Sequence, residues 1–212
     1  SDVTNKVSKT GDTMTGPLNI TPTSTNVLVI SSTHSNIAIG SGAYAFDSAT
    51  YPAAVAIGLG ATANMSGIAI GYNAYGERSD KNGSVAIGAF ANAQWGSVAI
   101  GDSAYAPGAV SVAVGDSANG AGSGTAIGAS ANGSSSGAAV GRGANGSSYG
   151  TAVGRGANGS FTNIAIGYNA KANGGLYRSA IGHSVSNSVD NSAAIRGSLY
   201  LDGGTGIFFR TT

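Results

Sequence analysis

Ser84-Val85-Ala86-Ile87-Gly88 is followed thirteen residues later by Ser97-Val98-Ala99-Ile100-Gly101. The pair are neighbouring copies of one unit. A tetrapeptide of an apolar or small residue, Ala, Ile or Val, and Gly recurs eleven times, with its glycines at Gly40, Gly58, Gly71, Gly88, Gly101, Gly115, Gly128, Gly141, Gly154, Gly167 and Gly182. Their separations are 18, 13, 17, 13, 14, 13, 13, 13, 13 and 15, so the unit is 13 residues with insertions. Ala193-Ala194-Ile195-Arg196 reads as a decayed twelfth copy. A short fixed period marks a repeat architecture, because one unit cannot bury its own apolar face and a stack can.

Thirteen residues hold about two short strands and two turns. Alternation sends Val85 and Ile87 to one side and Ala86 to the other. The expectation is that the Ile/Val column fills the inside of each coil. The obligatory Ala column, Ala38 to Ala180, is expected to face a neighbouring chain packed too closely for larger side chains. The residue three after each Gly is Ala in ten copies and Val185 in the eleventh. Asn119, Asn132, Asn145 and Asn158 share one register, each followed by Gly. That pair suits the positive φ of tight turns, and stacking would set the amides in a ladder. Thr125, Ala138 and Thr151 replace Ile or Val in the middle copies, which predicts a thinner core there. Gly, β-branched residues and period-2 alternation read as strand throughout. The expected fold is all-β, a parallel β-roll or β-solenoid. At about 4.8 Å per coil it makes a rod of roughly 50 Å.

Composition narrows the function. The chain has 212 residues, 36 of them Gly, with 42% hydrophobic, 9% charged and net charge +1. Such a balance argues for order, and four prolines without a Gly-X-Y period exclude collagen. Near-neutrality gives no electrostatic case for nucleic acid or an anionic membrane. No Cys is present, which removes disulfides and thiolate chemistry. No apolar run approaches the roughly 20 residues of a spanning helix, so the chain is not expected in a membrane. The first residues lack the apolar core of a secretory signal, which fits release by lysis, as of a virion.

The pentapeptides Ser84–Gly88 and Ser97–Gly101 resemble the head repeats of YadA-type trimeric autotransporter adhesins, and the resemblance spans about residues 34–196. It implies a left-handed winding and a homotrimer, intertwined or side by side, that binds surfaces; the general rule for parallel crossovers favours the right hand. Val7-Ser8-Lys9-Thr10-Gly11-Asp12-Thr13-Met14-Thr15-Gly16-Pro17-Leu18 is similar to a segment common in long tail fibres of tailed bacteriophages. By these resemblances residues 1–33 join a fibre shaft to the roll, and 34–196 form the repeat domain. Residues 197–212, with Leu199-Tyr200-Leu201 and Ile207-Phe208-Phe209 around Asp202-Gly203-Gly204-Thr205, read as a hairpin that caps the solenoid or forms its tip.

Candidate binding residues lie in the insertions and at the end. The first insertion, 44–52, carries Tyr44, Phe46 and Tyr51. The second, 75–82, carries Tyr75, Glu77, Arg78, Asp80 and Lys81. The third, 171–178, carries Tyr177 and Arg178. Loops on a rigid scaffold host recognition, and aromatic residues there stack on sugars or anchor proteins. The bland alternative is solvated loops that fold back on a neighbouring chain. Phe208, Phe209 and Arg210 complete the set at the tip. Trp95, Tyr105, Tyr149 and Phe161 fall in turns without large insertions and are expected mainly to pack, with Trp95 and Tyr105 kept as binding candidates.

Enzymatic signals are weak. Gly141-Arg142-Gly143-Ala144-Asn145-Gly146 matches a dinucleotide-loop pattern but sits in a repeat turn with no following helix. Asp102 and Asp116 share a register, and stacking sets them about 5 Å apart, the spacing of a retaining glycosidase pair. The column around them is varied, as an exposed stripe would be. Arg142 and Arg155 form a possible anion-binding stripe for phosphates of lipopolysaccharide, with solvated charges as the alternative. No cofactor, metal site or catalysis is expected. The reading is a bacteriophage tail-fibre adhesin, in the virion, whose partners are a bacterial surface glycan or outer-membrane protein and other fibre segments. Alternatives are a purely structural shaft, an autotransporter head and a polysaccharide depolymerase.

Overall fold

The computed structural model describes residues 28–30, 36–46, 53–77 and 83–196. Among them every regular element is a strand. The larger sheet has 13 strands, and all but the first run parallel, from Ile37–Ile39 to Ala193–Ile195. Registry is unshifted: Ala99 faces Ala86 on one neighbour and Ala113 on the other. The second sheet runs from Tyr44–Phe46 to Tyr105–Ala106. It continues as single bridges through Asn119, Asn132, Asn145 and Asn158, then closes with Lys171–Ala172 beside Ser186–Asn187. The chain is therefore a parallel β-solenoid.

One period shows how a coil is built. Gly124 leads into the strand Thr125–Ile127; Gly128, Ala129 and Ser130 turn the chain; Ala131 precedes Asn132 and Gly133 of the second sheet; Ser134, Ser135 and Ser136 return it to Gly137. Four positions point inward. In the coil that starts at Ser84 these are Ser84, Ala86, Ala91 and Ala93, each fully buried.

The alanine column is thus the core, and the expected inside and outside are exchanged. Ala56, Ala69, Ala86, Ala99, Ala113 and their successors to Ala180 have no exposed surface. The Ile/Val residues flanking them point outward: Ile39, Ile100, Ile127, Val140 and Ile195 are 37 to 51% exposed. The reason is thickness. Two face-to-face sheets of ordinary side chains stand about 10 Å apart. Turns of a few residues cannot span that gap, so the interior accepts little beyond a methyl group.

The core is thinner still in the middle, as expected, but for another reason. Thr125, Ala138 and Thr151 face outward and leave it unchanged. The thinning comes from Gly133 and Gly146 on the second sheet and from Gly124, Gly137 and Gly150 on the first. A Cβ on Gly133 would overlap the Thr125 carbonyl, and one on Gly137 would overlap the Gly146 carbonyl. The Asn residues do stack rung on rung, joined by backbone bridges rather than by bonds between their side-chain amides. The Asn-Gly pairs are not positive-φ turns, since neither member adopts positive φ. Instead each Asn Oδ1 accepts the N–H two residues on, at 3.1 Å from Ala121 to Asn119 and 3.2 Å from Ser134 to Asn132. This local bond orders the turn where the ladder shrinks to a single bridge.

The repeat glycine has a separate role. Gly101 has φ +135°, and a Cβ there would sit 2.6 Å from the carbonyl carbon of Gly115 on the next coil. Each coil stacks on the next through this column. At the first end, Leu28–Ile30 pairs antiparallel with Ile37–Ile39, an added strand within the segment read as a connector. Residues 197–212, and with them the expected hairpin, lie outside the described residues. We expect Gly101→Ala to destabilise the solenoid by at least about 2 kcal/mol, from left-handed strain plus the backbone overlap. Gly143→Ala, at φ +63° with open space around its Cβ, should cost only about 1 kcal/mol. Urea denaturation of the two variants measures the difference.

Candidate functional site

The turn from the second sheet back to the first is the edge from which all three insertions leave. Tyr44–Phe46, Tyr75–Glu77 and Lys171–Ala172 are the strands that precede them. Tyr44, Tyr75 and Tyr105 therefore belong to strands, in one outward column with Thr62, Asn92 and Asn119. Tyr105 was expected in a turn; the pleat shows it on the flat of the sheet.

Side chains one pleat apart meet on this face. The Tyr44 and Phe46 rings stack with centroids 6.1 Å apart. The Tyr75 hydroxyl donates to Glu77 Oε2 at 2.5 Å. Burial pushes the Tyr75 hydroxyl up to about 12, helped by its bond to Glu77 and by that carboxylate's charge. On the next rung the Trp95 N–H donates to the Glu77 carbonyl, and the Val110 N–H donates to the Trp95 carbonyl, both at 3.2 Å. Tyr75, Glu77 and Trp95 thus form one local group. Tyr44 and Tyr177 stand at opposite ends, roughly 40 Å apart at about 4.8 Å per coil. The candidates share one sheet face and the edge beside it rather than a pocket.

The third insertion is pinned. Arg178 Nε donates to Asp190 Oδ1 at 2.6 Å, and Arg178 Nη1 donates to the Asn173 carbonyl at 2.8 Å. The Leu176 N–H also reaches Asp190 Oδ1, at 3.0 Å. Buried Asn163 accepts the Arg178 N–H and donates to the Gly175 carbonyl, each at 2.9 Å. Arg178 is consequently a clamp with little exposed surface, while Leu176 and Tyr177 at the apex are 52 and 64% exposed. Tyr51, Arg78, Asp80, Lys81, Phe208, Phe209 and Arg210 lie outside the described residues.

Aromatic residues expected to pack do not pack within this chain. Trp95, Tyr149 and Phe161 are 47, 73 and 51% exposed. They also adopt positive φ, as do Val110 and Tyr177. That region disfavours bulky residues, at about 1–2 kcal/mol each. The same strain and exposure mark Phe90, packed edge-on against Tyr72 at 5.0 Å. Sequence reading passed over Phe90 and Val110. The available signal was register: Phe90 occupies a position held by Gly, Ser or Asn in the other copies.

Asp102 and Asp116 occupy adjacent rungs, since the Ser117 N–H donates to the Asp102 carbonyl at 2.8 Å, and both face solvent on an open edge. No group of three or more His, Asp or Glu side chains among the described residues is placed to hold a metal ion. No described helix is long and apolar enough to cross a membrane. Comparison with family models, curated proteins and solved structures finds no match to this chain.

Two outcomes follow from this edge. The Asp190 carboxyl is held below its usual range by the Arg178 hydrogen bond, then by the Leu176 N–H. A depressed folded value means that the clamp is fully present above the free value of about 3.9 and is lost as pH falls through the lower folded value. NMR resonances of Leu176 N–H and Arg178 Nε should hold steady from pH 7 to about 5 and shift on acidification below about 4. Unmoved resonances at the acid limit would mean that the contact is absent in solution. Trp95→Gly should raise stability by about 1 kcal/mol by relieving positive-φ strain, read as an increased denaturation midpoint.

Proposed function

We propose that this chain is the receptor-binding part of a bacteriophage tail fibre. In this reading it is a homotrimer of left-handed rolls, and its lateral edge contacts a glycan or outer-membrane protein of the bacterial surface. The observation that carries the reading is the row of large side chains that are both strained and exposed: Trp95, Val110, Tyr149, Phe161 and Tyr177. A turn selected only for stability would hold Gly or Asn there. Binding is the use that offsets the strain, and aromatic residues on a rigid edge suit sugars and protein anchors alike.

The outward Ile/Val column supports assembly. It runs the length of the larger sheet, on the order of 50 Å by 10 Å. An apolar strip of about 500 Å² is at the upper end of what monomers expose. Two further copies of the chain are its natural cover, so the interchain role first given to the alanine column passes to Ile and Val. Modest affinity at each site then gains from three chains per fibre. The purely structural shaft is the second reading, favoured by the uniform Asn-Gly coils of the middle segment.

Light scattering of the purified chain should give three times its 20.4 kDa mass. Ile100→Asp and Ile127→Asp together should lower the mass to that of one chain. Attachment to host cells should fall at least tenfold in the Trp95→Gly/Tyr177→Gly double variant, from loss of two anchors of about 1 kcal/mol or more each. Undiminished attachment with intact trimers supports the shaft. Release of reducing ends from capsule, lost on changing Asp102 and Asp116, would replace both readings with a depolymerase.

A further inference from the structure

The residue after each repeat glycine forms an outward column at the other turn of the coil. After Ser41, Leu59, Tyr72 and Ala89 it reads Asp102, Asp116, Ala129, Arg142, Arg155, Tyr168 and His183. Stacking is direct: the Gly156 N–H donates to the Arg142 carbonyl and the Asn169 N–H to the Arg155 carbonyl, both at 2.9 Å. Charge is segregated along the rod. Between residues 83 and 128 the only charged side chains are Asp102 and Asp116; between 129 and 196 there are five Lys or Arg and the single acid Asp190.

Arg142 and Arg155 stand on neighbouring rungs, about 4.8 Å apart along the rod. Like charges directly opposite each other in a sheet are destabilising. Neither guanidinium has a carboxylate partner, since Asp190 is engaged by Arg178 and no other ion pair occurs among the described residues. Below them the column becomes a stack. The Arg155 guanidinium lies 5.5 Å from the Tyr168 ring centroid, and the Tyr168 and His183 rings stack at 5.0 Å with a 17° interplanar angle. The stack restrains Arg155 on its planar face and leaves its edge N–H donors free. Beside the pair the turn residues are Gly143 and Gly156, where neighbouring coils carry Ser130 and Asn169. Together these residues line an open groove of about 450 Å³.

We propose that this groove binds an oxyanion-bearing saccharide, with the phosphate or carboxylate bridging Arg142 and Arg155. Two forked donors on adjacent rungs match the paired oxygens of such a group. Asn169 and Ser130 supply hydrogen bonds to sugar hydroxyls; Gly143, with open space beside it, leaves room for the ring, while the Asn169 amide lies over Gly156. The inference rests on the adhesin reading and names the ligand chemistry of a second edge, opposite the insertions. Tyr168 acts as a positioning residue that holds Arg155.

NMR titration of the arginine Nε–H resonances tests it with four probes: glucose 6-phosphate, glucuronate, inorganic phosphate and glucose. Glucose 6-phosphate or glucuronate should shift Arg142 and Arg155 at millimolar concentration while glucose does not; the tighter of the two identifies the source of the oxyanion. Arg142→Gln/Arg155→Gln should weaken binding by about tenfold or more, whereas Arg196→Gln, which removes one charge beyond the groove, leaves it within about twofold. Tyr168→Phe should retain affinity and Tyr168→Leu should lose part of it. Equal binding of inorganic phosphate and glucose 6-phosphate would overturn the saccharide assignment. An equal loss in Arg196→Gln, or no shift at either arginine, would overturn the site. These outcomes leave the adhesin reading standing, because that reading is decided by attachment to cells through the other edge.

Discussion

In most coils the interior is about one methyl group deep, with Val185 and Asn163 the larger exceptions, and the rest of the molecule follows from that depth. Ala86, Ala91 and Ala93 fill it in one coil; Gly124 and Gly133 close it further in another. A core of methyl groups buries little apolar surface per residue. Cohesion is therefore carried chiefly along the rod, through two hydrogen-bonded ladders in unshifted register. The glycine after each Ile or Val permits this stacking, because its backbone lies against the next glycine with no room for a Cβ. Large side chains have only one direction to go, and the Ile/Val column stands on the outside.

The period, strand content, parallel stacking and common exit of the insertions were all legible in the sequence. They depend on spacing and on the two-residue alternation of strands, which any reader of the repeat can count. The polarity of the coil was not legible. Ala86 and Ile87 alternate in either assignment, and the usual preference for burying the larger residue points the wrong way. What decides is the span of the turns, a property of backbone geometry at Gly128, Ala129 and Ser130 that no hydropathy pattern encodes. The Asn-Gly pairs misled for a related reason. Asn119 and Gly120 are a common turn pair, yet here Gly120 is small because the Val112 carbonyl crosses directly above it.

The candidate sites divide the same way. Tyr75, Glu77 and Tyr177 were singled out as candidates by composition and insertion length. Arg178 was found too, but as a ligand contact; its geometry makes it the fastener of the loop, held by Asp190 and Asn163. Val110 and Phe90 escaped because their interest lies in backbone conformation, which appears only when φ is known. The column from Asp102 to His183 was visible as a varied stripe. Its meaning came from adjacency: two unpaired guanidinium groups above an aromatic stack.

Unshifted register also bears on how such a chain changes over generations. Each coil touches only the coil above and the coil below, and the interior and the glycine stack are nearly the same at every junction. Loss or duplication of a thirteen-codon segment therefore leaves every surviving junction of a kind already present, and alters rod length by about 4.8 Å. The identical stretches Gly141–Gly146 and Gly154–Gly159 are the sort of template that misaligned recombination needs. The spacing between an aromatic edge and a cationic groove thus becomes a heritable ruler, adjustable in single notches without redesign of either surface.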